Sequence, residues 1–311
     1  MSAALRVAVV GLGKIAHDQH LPAIARSPAF ELVATASPLG GVAGVPHFPT
    51  LAAVLAAALP VDAVILCQPP QFRFQAAALA LRAGKHVLLE KPPGSTTLEV
   101  EQLQRLAQLA GRTLFAAWHS RHARAVELAR TWLAQRTLRS MRIEWREDVR
   151  HWHPGLAWIW EPGGLGVFDP GINALSIATR LVGEPMRVLE GNVDIPRNRC
   201  TPIAAELSLR TLSEVPIDAV FDWRQTGPQT WSVTAQTDGG RLTLSKGGAE
   251  LQIDDRLVVA GEADLTPEYA SLYERFATLV RGGESEVDVT PLRLVADALL
   301  RCRSRFVEPF D

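Results

Sequence analysis

At 311 residues the chain is too long for one small domain and suits two packed domains, and its 47% hydrophobic content supplies real cores. Its 32 Lys and Arg nearly balance 33 Asp and Glu. The resulting net charge of -1 makes no field that would gather nucleic acid or an anionic membrane.

Residues 5–117 alternate short apolar runs with longer helical patterns. Leu5–Val10, Glu31–Ala36, Asp62–Leu66, His86–Leu89 and Thr113–Ala117 read as buried strands. Between them, Lys14–Arg26, Leu51–Leu59, Gln71–Ala83 and Leu98–Ala110 carry helical spacing. This alternation predicts an α/β unit, a doubly wound parallel sheet over residues 1–120. The rhythm changes after about residue 137. A helix near Asn173–Leu181 follows a segment rich in Trp and Gly. Strand patterns then run over Arg187–Val193, Ile203–Leu209, Pro216–Trp223, Trp231–Thr237, Gly240–Ser245 and Glu250–Ile253, with a hairpin signal at Asp238-Gly239-Gly240. Helices over Glu268–Val280 and Pro291–Cys302 finish the chain. Residues 121–311 are therefore expected to form an α+β domain with an open, mainly antiparallel sheet that binds substrate and, through its uncovered face, a second copy of the chain.

Cys67, Cys200 and Cys302 are far apart, with no CxxC or metal-ligand spacing, so a reduced setting without disulfides is expected. The opening MSAALRVAVVGLG runs straight into a strand, with neither a basic segment nor a cleavage site. Pro60 and Asp62 interrupt the apolar stretch Leu51–Cys67, so no membrane span is expected and the location read is cytoplasmic.

Gly11-Leu12-Gly13-Lys14-Ile15-Ala16 directly follows the first strand and opens a helix. This is the G-x-G-x-x-A pattern in the context that dinucleotide binding requires. Gly11 allows the tight turn, Gly13 lets the backbone approach a pyrophosphate, and Ala16 permits close helix–strand packing. An acidic residue ending the second strand would bond a ribose 2′-hydroxyl and repel a 2′-phosphate; here Ser37-Pro38 offers neither that residue nor an arginine clamp. NAD or NADP is the expected cofactor. Its expected contacts are Gly11, Gly13, Lys14, Ile15, Ser37, Pro38, Gln68, Glu90 and Lys91.

Glu90-Lys91-Pro92 comes immediately after the fourth strand pattern. Together with the glycine turn, Gly163-Gly164 and Asp169-x-x-x-Asn173, it resembles the glucose–fructose oxidoreductase / inositol dehydrogenase family along the whole chain. One departure stands out: Asn173 occupies a position where most members have histidine. The run from Trp145 to Asn173 looks like the branch of bacterial L-arabinose and D-galactose 1-dehydrogenases. That resemblance implies oxidation of an aldose at its anomeric carbon to a lactone, and an unusual peptide after Lys91.

Oxidising a C1 hydroxyl requires that hydride leave C1, that the O1 proton leave, and that the sugar be held in place. Lys91 sits where a parallel sheet puts its ligand crevice, and its ammonium would stabilise charge developing on O1. Asp169 and Asn173, four apart at a helix start, share one face. Asp169 can accept the O1 proton, whereas Asn173 can bond a hydroxyl but not act as a base. Two alternatives stay open: Lys91 as the base with Asp169 orienting it, and Asp169 as merely the N-cap of its helix. The cleft reading sets Lys91 opposite Asp169 and Asn173. Among eight tryptophans, four crowd into positions 145–160. Most are expected in the core, with Trp152 and Trp231 against a sugar face. His119, Glu147 and His153 complete the expected substrate contacts. The histidines at 119, 122, 151 and 153 show no familiar metal spacing, and no metal is expected. Two other readings compete: an inositol or cyclic polyol dehydrogenase, which Asn173 argues against, and a non-catalytic NAD(P)-binding regulator, which Lys91 and Asp169 argue against.

Overall fold

The computed structural model describes residues 3–311, which divide into two compact units. The first comprises the chain up to His119 together with Leu265–Val289, and the second comprises Ser120–Asp264 with Thr290–Asp311.

Six parallel strands build the first unit: β1 (Leu5–Val10), β2 (Phe30–Ala36), β3 (His47–Phe48), β4 (Ala63–Leu66), β5 (His86–Glu90) and β6 (Leu114–Ala117). Their spatial order is β3-β2-β1-β4-β5-β6, so the winding reverses between β1 and β4. Ligand crevices of open parallel sheets lie at this reversal, beyond the carboxyl ends of the strands. Side chains alternate across each strand. Val7, Val9, Ile65, Leu88 and Phe115 face one layer, and Ala8, Val10, Val64, Leu66 and Leu89 face the other. The second layer meets the helices Pro70–Arg82 and Thr97–Ala110 through Leu81 and Leu103. The first layer is covered by Ile24 and by Tyr269, Leu272, Tyr273 and Phe276 of the helix Thr266–Gly282. The sequence order places that helix with residues 121–311. Its apolar face instead completes the core of the first unit, because Val7, Val9 and Phe115 would otherwise be bare.

A nine-stranded sheet forms the second unit, from β7 (Leu138–Arg146), β8 (Met186–Pro196), β9 (Ala204–Thr211), β10 (Pro216–Asp222), β11 (Thr230–Thr237), β12 (Gly240–Ser245), β13 (Glu250–Ile253), β14 (Arg256–Val259) and β15 (Arg303–Val307). The order is β14-β13-β12-β11-β7-β10-β9-β8-β15. Pairing is antiparallel except between β7 and β10 and between β8 and β15. Sequence reasoning missed the central β7, although Met141, Ile143 and Trp145 alternate with Arg142, Glu144 and Arg146, the period-2 pattern of a half-buried strand; the first three are buried and make one apolar face. The helix Phe168–Val182 packs on that apolar face, so close that a Cβ at Gly171 would stand 2.8 Å from the ring of Phe221. Replacing Gly171 by Ala should cost about 1–3 kcal/mol through overpacking. Chemical denaturation measures this, and an unchanged midpoint would show that the contact is soft.

Candidate functional site

β1 leads into the glycine turn and then a helix over residues 14–26, whose stretch Ala16–His20 is wound as a π-helix. Gly11 has a φ of +89° and sits so close to the next strand end that a Cβ would fall 2.7 Å from the Gln68 backbone nitrogen. Gly13 is the opposite case: a Cβ there would meet no protein atom within 4 Å. The turn therefore presents bare backbone to open space just where a helix begins, as a pyrophosphate cradle requires. Gln68 lies against this turn, and its buried side-chain oxygen has no protein partner. Ser37 is buried at the end of β2, with its hydroxyl accepting from the Leu39 backbone nitrogen at 3.0 Å, while Pro38 beside it is exposed. Lys14 is exposed and pairs with Asp18, and Ile15 is partly buried.

The period of β5 turns Glu90 toward the same layer as Leu88, under the helix Thr266–Gly282. Sequence reasoning puts Glu90 among the cofactor contacts, but its side chain is 2% exposed and points inward. One carboxylate oxygen accepts from Tyr269 and meets His20 Nε2 at 3.0 Å; the other accepts from the Lys91 backbone nitrogen at 2.7 Å. His20 Nδ1 lies 2.9 Å from the Tyr273 hydroxyl. Arg73, also buried, donates to the carbonyls of Glu90 and Pro92, and the Lys91–Pro92 peptide is cis. Glu90 thus fixes the turn that carries Lys91. His119 belongs to this unit too, bonded to Glu268 at 2.7 Å and stacked on Tyr269. Sequence reasoning missed His20, Arg73, Glu268 and both tyrosines of the chain. The spacing of Tyr269 and Tyr273, four apart on one helix, was the available signal.

Burial alone pushes the His20 pKa down, but contact with Cys67 and the Glu90 carboxylate outweighs it and carries it up to about 10. Burial likewise pushes Glu90 up, and the bond to His20 with the nearby His119 and Arg73 charges holds it well below the usual carboxylate range.

In the second unit the inward face of the sheet gathers the other expected residues. Trp145 and Trp231 are paired across β7 and β11 and stack at 5.7 Å, and Trp152 leans on Trp231 at 4.8 Å. Trp152 ends a helical turn, Val149–Trp152, capped by Asp148, where the sequence suggests a loop. Glu147, just past β7, is buried and accepts from Trp231 Nε1 at 2.8 Å. Its other oxygen meets His153 Nε2 at 3.0 Å, and His153 Nδ1 lies 3.9 Å from Asp169 Oδ2. Asp169 is not the N-cap of its helix; Val167 holds that position, and Asp169 is the second helical residue, 3% exposed. Asn173, one turn further, is partly exposed. The structure thus brings Glu147, Trp152, His153, Asp169 and Trp231 into one connected group.

Residues 5–118 match the oxidoreductase family with an NAD-binding Rossmann fold. The chain is 44% identical to galactose 1-dehydrogenase of Pseudomonas fluorescens across 98% of both sequences. It belongs to this oxidoreductase family. A crystal structure of D-galactose-1-dehydrogenase from Rhizobium etli superposes with a TM-score of 0.94 at 51% identity, covering 100% of this chain and 99% of that one. A 3-ketoreductase from Actinomadura kijaniata shares the fold at a TM-score of 0.84 and 21% identity, over 98% and 99% of the two chains.

Family membership makes the first unit an NAD-binding domain, and the open cradle at Gly13 fits the group. Two measurements follow. Gly13→Val leaves the protein itself undisturbed, so its melting temperature should stay near the wild-type value. Cofactor affinity should fall at least about tenfold, about 1.4 kcal/mol, read by nucleotide fluorescence; unchanged affinity would remove Gly13 from the cradle. Because the folded pKa of His20 lies above its ordinary 6.5, its stabilisation is complete below about 6.5 and disappears as pH rises through about 10. Thermal midpoints should decline across that window, and His20→Gln should flatten the decline. Parallel slopes for the two proteins would contradict this.

Proposed function

We propose that the chain is an NAD(P)-dependent aldose 1-dehydrogenase that oxidises D-galactose at C1 to the lactone. The observation that carries this is the connected wall of Trp231, Trp152, Glu147, His153 and Asp169. Flat indole faces suit the C–H side of a pyranose, and fixed carboxylate and imidazole groups suit its hydroxyls. Two relatives at 44% and 51% identity over nearly the whole chain, both named for galactose, support the same substrate. L-arabinose has the same ring configuration at C2, C3 and C4 and differs only at C5, so we extend the proposal to it.

Bound nicotinamide supplies the hydride acceptor. Asp169 takes the O1 proton as C1 becomes a carbonyl carbon, and Asn173 holds a neighbouring hydroxyl. Lys91 offsets negative charge on O1. Neither an acidic residue nor an arginine stands at Ser37-Pro38, which supports use of both NAD and NADP. The outward face of the nine-stranded sheet, with Arg142, Glu206, Asp218 and Val220, supports pairing with a second copy. A cytoplasmic setting fits three cysteines without a disulfide.

Reduced-nicotinamide absorbance should rise when D-galactose or L-arabinose is added with NAD or NADP, and silence across a panel of aldoses and polyols would overturn the proposal. Asp169→Asn should lower kcat by about 10²–10⁴-fold while cofactor binding persists. Turnover near the wild-type rate would take Asp169 out of the mechanism.

A further inference from the structure

A base buried as deeply as Asp169 must pass its proton on before the next turnover, and its 3% exposure gives it little contact with water. The neighbouring His153 side chain is 16% exposed. Its orientation is set from the far side. Ionised Glu147 is an acceptor only, and its two oxygens meet Trp231 Nε1 at 2.8 Å and His153 Nε2 at 3.0 Å. Nε2 must therefore carry the hydrogen, which leaves the neutral ring with its lone pair on Nδ1. Nδ1 is the atom that faces Asp169 Oδ2, 3.9 Å away, a gap that a small ring rotation or one bridging water closes. Glu147 and Asp169 are the titratable groups facing His153, and the ring of Trp223 lies beside it at 5.4 Å. A carboxylate that fixes an imidazole tautomer so that its other nitrogen can take a proton is a general device of proton transfer.

We propose that His153 is the relay that carries the substrate proton from Asp169 to solvent, with Glu147 and Trp231 as its positioning residues. This rests on the dehydrogenase reading above. The C1–H bond breaks with its electron pair going to the nicotinamide, and the O1–H bond breaks as C1=O forms. The proton then resides on Asp169, next on His153 Nδ1, and finally in water, so no further oxidant or reductant enters. Asn173 cannot share this task, because an amide does not take up a proton at neutral pH.

His153→Gln keeps a hydrogen-bonding side chain but removes the titrating ring. With D-galactose and cofactor, kcat should fall about tenfold to a hundredfold. The sugar KM should stay within about threefold, the acid limb of the kcat–pH profile should move to lower pH, and free imidazole should restore part of the rate. A raised KM with kcat unchanged would make His153 a sugar contact and overturn the relay. So would a kcat loss with an unaltered pH profile and no imidazole rescue. If this variant fails to fold, Glu147→Gln decides the matter: an amide can donate to His153 Nε2 and so move the ring hydrogen to Nδ1, and kcat should fall about tenfold with the acid limb of its pH profile displaced; an unaltered kcat and pH profile counts against the relay. Wild-type turnover separates the two proposals. Its absence sinks the dehydrogenase reading, whereas its presence with a wild-type-like His153→Gln sinks only the relay.

Discussion

The first unit is organised around one buried carboxylate. Moving an ionised Glu90 out of water is costly unless every lone pair finds a donor. Here the donors come from three separate pieces of chain: His20 at the end of the π-helical stretch, Tyr269 on the helix Thr266–Gly282, and the backbone of Lys91. Satisfying one charge therefore joins the helix behind the glycine turn to the strand end that presents Lys91. The phosphate cradle and the lysine are set by the same few bonds. The opposed pKa shifts of His20 and Glu90 express this mutual dependence.

Glu147 repeats the arrangement in the second unit. Again a buried carboxylate just at the end of a strand holds a histidine, and again an aromatic side chain donates to it. The two differ in exposure. His20 is sealed from solvent, so its bond is structural, whereas His153 retains some access and has its second nitrogen turned toward Asp169. Placement of the histidine, not its identity, decides which one is suited to move protons.

Much of this was legible in the sequence where local pattern and tertiary role agree. The strands of the parallel sheet are continuous apolar runs, so β1 matches its expected span and β2, β4, β5 and β6 lie within a residue of theirs. The glycine turn was readable because its spacing and its place between strand and helix are both local facts. The central β7 was readable too, since Met141, Ile143 and Trp145 alternate with Arg142, Glu144 and Arg146, and it was overlooked. The inward turn of Glu90 was not, because its partners lie up to 179 residues away in sequence. The membership of Thr266–Gly282 escaped for the same reason: amphipathic spacing says that a helix has an apolar face but not which core that face covers.

That helix gives the first unit an unusual chain order. Its sheet is complete once Ala117 has been made, yet part of the cover over the layer holding Val7, Val9, Leu88 and Phe115 comes from residues beyond Leu265. During synthesis that part of the core is therefore made only after most of the second unit's sequence. Until then Glu90 lacks Tyr269, and His20 lacks Tyr273. A polypeptide interrupted midway has the nucleotide turn, His20, Arg73 and Glu90 in its sequence but lacks the tyrosines and the apolar cover that Thr266–Gly282 brings to them.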